Sequence, residues 1–178
     1  MGYIRNVELS DAEVLVEIYR PYVENTTISF ECETPSVDEF RSRIENISKK
    51  YPYIVMVEDD EIVGYAYAGR FKGRKAYDWC VETTIYVRED KKGGGYGKKL
   101  YLELEKRLKK QNILNMYACI AYTDNVDEHL TNNSMQFHEH MGFRRNGRFK
   151  KCGYKVDKAY EMVWREEFIG ELNVNADA

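Results

Sequence analysis

The 178-residue chain has no apolar run approaching the roughly 18 residues that a membrane span needs, and its start, Met1-Gly2-Tyr3-Ile4-Arg5, has no hydrophobic signal region. The expectation is a cytoplasmic protein with no membrane partner. Cysteine is sparse: Cys32, Cys80, Cys119 and Cys152 lie far apart with no C-x-x-C pair, which favours reduced thiols over a disulfide framework or a metal set. Among His129, His138 and His140 there is no H-x-x-x-H pair backed by a carboxylate pattern, so no metal is expected. An excess of one charge is missing too. Lys and Arg number 27 against 30 Asp and Glu, the signs are interleaved, and the basic patch that a nucleic-acid partner requires is not expected. Repeats, linkers and low-complexity tracts are absent, and a 43% hydrophobic chain of this length suits one domain with a substantial core. That domain is placed at residues 1–168, with a polar tail over 169–178.

What is present centres on residues 77–108. Val81 to Val87 is rich in β-branched and aromatic side chains, and at period two Val81, Thr83, Ile85 and Val87 share one face while Glu82, Thr84 and Tyr86 share the other. A strand with a carboxylate in mid-run follows. After Gly97, Leu100, Leu104 and Leu108 recur every four residues, Tyr101 widens the stripe, and Lys and Glu fill the remainder, as in an amphipathic helix. Between them lies Lys92-Gly93-Gly94-Gly95-Tyr96-Gly97, whose glycines allow φ > 0 and a close backbone approach to a ligand. Backbone N–H groups at a helix N-terminus suit a phosphate or pyrophosphate. The spacing fits neither the G-x-x-x-x-G-K-[ST] nucleotide loop nor the dinucleotide pattern G-x-G-x-x-G.

The flanking segments read as supporting elements. Tyr3 to Val7 is a short strand, a Ser10/Glu13 capping box opens a first helix, and a Ser36/Glu39 box opens a second. Tyr53 to Val57 and Ile62 to Ala68 are strands around a turn at Glu58-Asp59-Asp60-Glu61. Asn25 to Phe30 is a loop with Ile28 and Phe30 as anchors, and Lys72, Arg74 and Lys75 are either surface charge or anion-binding groups. Met116 to Tyr122 is a strand, Thr123 to Asn132 an inserted loop, and Ser134 to Met141 a helix closed by Gly142; Phe143 to Phe149 and Tyr160 to Arg165 complete the sheet. Gly170 to Ala178 reads as a frayed tail.

Lys92-x-x-Gly95-x-Gly97 resembles the pyrophosphate loop of the GNAT N-acetyltransferases, with Lys in place of the family's Arg or Gln at the first position. Tyr65-Ala66-Tyr67-Ala68-Gly69, Lys72, Arg74, Ala76-Tyr77-Asp78-Trp79, Glu82-Thr83-Thr84 and Tyr86-Val87 resemble the phosphinothricin acetyltransferase branch, and the likeness runs from about Ile4 to Phe168. The resemblance implies an α/β (α+β) GNAT fold: a mixed central sheet with helices on both faces. It implies acetyl-CoA held by Ile85, Tyr86, Val87, Lys92, Gly93, Gly94, Gly95, Tyr96, Gly97 and Lys98, and by Asn132 and Ser134. At the point where the family places a cofactor-touching Asn, this chain offers Thr131, Asn132 or Asn133. Phe30, Lys72, Arg74 and Tyr77 are the implied substrate-binding residues, and self-association as a homodimer is expected.

For the chemistry, Glu82 is either a salt-bridged strand residue or the general base that frees the attacking amine, beside a backbone N–H that could meet the developing oxyanion. The family's acid is a Tyr after Phe in the closing helix, whereas Phe137 is followed here by His138, an imidazole expected to titrate near neutrality; Tyr154 is a second candidate. The expected function is transfer of an acetyl group from acetyl-CoA to the primary amine of a small amino-acid-like molecule such as phosphinothricin, methionine sulfone or methionine sulfoximine. A peptide or protein N-acetyltransferase and a non-catalytic acyl-CoA-binding module are the alternatives.

Overall fold

A computed structural model describes residues 2–171. Its strands are β1 (Tyr3–Asn6), β2 (Tyr53–Glu58), β3 (Glu61–Arg70), β4 (Cys80–Val87), β5 (Asn115–Tyr122), β6 (Arg144–Lys155) and β7 (Lys158–Phe168). Its helices are α1 (Ala12–Glu24), α2 (Val37–Ser48), α3 (Tyr96–Lys110) and α4 (Asn133–His140). The strands form one sheet in the order β1-β2-β3-β4-β5-β7-β6, antiparallel except where β4 meets β5.

Period-two alternation buries both faces of the sheet. Ile54 and Met56 of β2 join Val81 and the α3 residues Leu100, Tyr101, Leu104 and Leu108 in one core cluster. Tyr53, Val55 and Val57 join Leu15, Tyr19 and Tyr22 of α1 and Phe40 and Ile44 of α2 in the other. The helices therefore lie on both faces, as the resemblance implies. Full burial of each large apolar side chain contributes roughly 1.5–3 kcal/mol.

Local signals set most of the boundaries. Ser36 caps α2 by accepting from Glu39 N at 3.1 Å. The box expected at Ser10/Glu13 is instead formed three residues apart by Glu8 and Asp11, at a 3-10 turn (Leu9–Asp11) that precedes α1. Asp11 also pairs with Arg5 at 2.7 Å, and that ion pair draws the cap towards the strand side of the chain. Asp59 and Asp60 take φ of 51° and 63°, turning β2 into β3. Gly142, at φ 99°, ends α4 as a C′ glycine. The last hairpin is longer than its sequence suggests: β6 runs to Lys155 through a register break between Phe149 and Gly153, and turns through Val156 and Asp157 at φ near 50°. A positive φ at a β-branched residue is unusual, and nothing local announces this turn. Of the expected polar tail, residues 172–178 lie outside the described residues.

Candidate active site

The β4–β5 ladder runs only from Cys80 opposite Asn115 to Glu82 opposite Tyr117. Beyond it the strands separate, and residues 83–87 have no ladder partner on that edge. Thr83 spans the start of the split by donating its hydroxyl to the Tyr117 carbonyl at 3.1 Å. A cavity of about 240 Å³ opens there, walled by Glu82 to Tyr86 of β4, Ala118 to Ala121 of β5, Ile28 to Phe30 of the α1–α2 segment, Met162 of β7, Tyr101, Ser134 and His138. Six residues expected at the site converge on it: Phe30, Glu82, Ile85, Tyr86, Ser134 and His138.

Glu82 is half-buried and makes no hydrogen bond or ion pair among the described residues. Burial raises its carboxyl above the ordinary range, and the charge of Lys72 works against that rise. Lys72 Nζ stands 5.1 Å from the Phe71 ring centre; Phe71 stacks on Tyr117 at 4.3 Å, and Tyr117 is the cross-strand partner of Glu82. Tyr77 meets the edge of Phe71 at 6.1 Å. Lys72 and Tyr77 are exposed outside the cavity wall, and the Lys72 charge still acts on Glu82. Arg74 precedes the short 3-10 turn Lys75–Tyr77 and is exposed, also outside the cavity wall.

His138 does not titrate near neutrality, which corrects the expectation for an acid at that position. The residue is 4% exposed, and burial pushes its pKa down to about 4. A carbonyl only accepts, so Nδ1 carries the proton and donates to the Ser134 carbonyl at 2.7 Å; Nε2 then accepts from the Tyr101 hydroxyl, also at 2.7 Å. Tyr154, the second candidate, is 70% exposed on β6 and absent from the cavity wall.

The glycine loop meets the other end of β4. Gly93 and Gly95 take φ of 84° and 76°, and Gly95 is the N-cap of α3 with no side chain to occupy the first N–H groups. No acidic residue stands in that first turn, and Lys92, Lys98 and Lys99 are exposed around it. Free N–H groups, the positive end of the helix dipole and three cations fit a pyrophosphate. Gly97 has an ordinary helical φ: a Cβ there would come 3.1 Å from the Phe137 ring and 3.7 Å from Ile85, so its smallness serves packing between α3 and α4. Tyr86 and Val87 differ in role. The Tyr86 ring lies 4.8 Å from Tyr19 and 4.9 Å from Tyr22, while the Val87 carbonyl accepts from the Tyr22 hydroxyl. Of the three polar residues at the start of α4, Thr131 and Asn133 are exposed; Asn132 turns inward, donating to the Thr123 carbonyl at 3.1 Å while its buried Oδ1 has no partner among the described residues.

Sequence reading missed Thr83, Tyr101, Cys119 and Met162 as cavity residues. Tyr101 belongs to the α3 stripe and Cys119 to a strand, so each reads as core. Burial pushes the Cys119 thiol up to about 12, with the Glu82 charge adding to the rise, which keeps it protonated.

A split parallel strand pair, an open helix N-terminus beside it and a half-buried carboxylate at the split fit an acyltransferase. Residues 4–164 match the acetyltransferase (GNAT) domain, so the chain belongs to the GNAT acetyltransferases, enzymes that take their acetyl group from acetyl-CoA. It is 30% identical to phosphinothricin N-acetyltransferase of Streptomyces viridochromogenes over 93% of this chain and 87% of that one. It is 27% identical to an L-methionine sulfoximine/L-methionine sulfone acetyltransferase of Pseudomonas aeruginosa, over 92% of each. Among solved structures, a phosphinothricin acetyltransferase from Sinorhizobium meliloti in complex with AcCoA superposes with a TM-score of 0.88 at 29% identity, covering 99% of this chain and 93% of that one.

Proposed function

We propose that the acceptor is the primary amine of a small amino-acid-like molecule of the phosphinothricin, methionine sulfone or methionine sulfoximine type. The observation that carries this is the Glu82 carboxylate, without a partner among the described residues, in the wall of a small cavity and under the influence of the Lys72 charge. Glu82 takes the proton of the attacking amine, directly or through one water, and its raised proton affinity suits that task. Lys72 orients the acceptor's acidic group, with Tyr77 and Phe30 completing the contacts, while Arg74 stays outside the cavity wall. The names of the relatives at 27–30% identity point the same way.

Bound at the Gly93–Gly97 loop with Lys92 and Lys98, and along the free edge of Ile85 to Val87 with Asn132 and Ser134, acetyl-CoA supplies an activated thioester. The unpaired Oδ1 of Asn132 offers an acceptor for a cofactor N–H. A thiol-release assay with phosphinothricin, methionine sulfone, methionine sulfoximine, other α-amino acids, polyamines and peptides tests the reading. Turnover with α-amino acids bearing a polar tetrahedral side group is expected; acetylation of peptides or cationic amines alone would overturn it and favour the peptide or protein reading.

No helix among the described residues is long and apolar enough to cross a membrane. We infer a cytoplasmic enzyme without a membrane or nucleic-acid partner, which the four unpaired thiols and the interleaved charge support. We also infer a homodimer: β6 is an edge strand carrying the exposed rings of Phe149 and Tyr154, and such an edge favours a partner. A monomer by analytical ultracentrifugation at micromolar concentration would refute this.

A further inference from the structure

Lys155 is 8% exposed, although it ends a strand at the rim of the sheet. Its ammonium donates to three backbone carbonyls: Val23 at 2.6 Å, Thr26 at 2.9 Å and Ser29 at 2.9 Å. An ammonium has three donors, so all are used. Val23 lies in the last turn of α1, where helix carbonyls have no intrahelical partner and the dipole favours a cation. Thr26 and Ser29 lie in the segment that follows, which has no helix or strand before α2. A residue about 130 positions away in sequence therefore caps α1 and fixes the path of the chain beyond it.

That path forms a wall of the cavity through Ile28, Ser29 and Phe30. The same hairpin touches the wall a second time, for a Cβ added at Gly153 would come 2.4 Å from the Phe30 ring. A neighbouring loop is tied in as well. Asp127 accepts from Lys158 and, at 3.3 Å, from the Tyr160 hydroxyl, while the His129 carbonyl two residues on accepts from Thr27 N at 3.0 Å. The end of the β6–β7 hairpin thus holds the segment, and the lysine is its most buried charged contact.

We propose that Lys155 is a positioning residue for the acceptor amine: by holding the Val23, Thr26 and Ser29 carbonyls it sets the Ile28–Phe30 wall against Glu82. This rests on the reading of the cavity as the acceptor site. Acetyl-CoA binding depends on the Gly93–Gly97 loop and is independent of it. In Lys155→Met, the KM for the best α-amino acid acceptor rises about tenfold, equivalent to about 1.4 kcal/mol, while kcat and the Kd for acetyl-CoA stay within about twofold. Lys155→Gln, which keeps two N–H donors without the charge, gives a smaller rise. Hydrogen exchange of the unliganded protein gives a readout that needs no acceptor: amides 26–31 exchange faster in Lys155→Met, whereas those of β2–β4 and residues 93–97 do not. A folded variant with unchanged acceptor KM, or with acetyl-CoA affinity lost in equal measure, would overturn the assignment. If the wild type acetylates no α-amino acid, the acceptor reading fails, and the exchange arm still decides: unchanged protection at 26–31 overturns the role of Lys155. Failure of both variants to fold would make Lys155 a residue of stability alone and overturn it likewise.

Discussion

Burial strengthens the hold of Glu82 on a proton, and Lys72 limits the effect, so the carboxylate is a better base than a surface glutamate. A base acts when deprotonated. Wild-type kcat/KM therefore rises with pH through an ionisation above the ordinary glutamate value of about 4.5. Glu82→Gln removes that limb and lowers kcat by roughly 10²- to 10⁴-fold, with acetyl-CoA affinity retained and partial rescue at higher pH, where more free amine exists. Wild-type turnover by this variant at pH 7 would return Glu82 to a structural role. The carboxylate's position in mid-strand is legible from sequence; its isolation from every ion pair among the described residues is not, because that depends on what β5 brings opposite it.

At the scale of elements, the β4–loop–α3 unit separates a glycine that needs its backbone freedom from one that serves packing. Gly95 needs its positive φ, and a Cβ there meets nothing within 4 Å. Gly95→Val therefore tests backbone conformation without disturbing packing, and abolishes measurable acetyl-CoA binding by calorimetry while the protein stays folded. Gly97→Val acts differently. Its added atoms press on Phe137 and Ile85, so it costs about 1–3 kcal/mol of stability by overpacking. If the two variants behave alike in binding and in melting, the division of roles is wrong. The glycine cluster marks the loop in the sequence, but assigning φ to one glycine and packing to another needs the neighbouring helix in place.

For the whole molecule, His138 links acid stability to the fold. Its folded pKa of about 4 lies below the ordinary 6.5, so between those values the unfolded chain takes up a proton that the folded one refuses. The associated stability is complete above pH 6.5 and is lost as pH falls towards 4, a loss of about 3 kcal/mol at about 1.4 kcal/mol per tenfold difference in proton affinity. Glu82 opposes this in direction, since its raised pKa favours the folded state as pH falls. Denaturant melts at pH 7 and pH 4 should show a steeper acid loss in the wild type than in His138→Asn. Equal slopes would mean that His138 is protonated in the folded protein.

The sequence by itself determined what is local in chain or period: the alternation that buries both faces of the sheet, the stripe of α3, the Ser36 cap, the glycines before a helix and the carboxylate of β4. These follow from nearest-neighbour geometry, and together with the family likeness they gave the fold and the activity. Only the tertiary structure decided what depends on chain segments far apart in sequence. The splitting of β4 from β5 creates the cavity. Burial beside Tyr101 and Phe143 keeps His138 neutral, and the extended β6–β7 hairpin carries Lys155 to carbonyls about 130 residues away. Burial and hydrogen-bond partners arise from such meetings, and no window of sequence contains both sides of them.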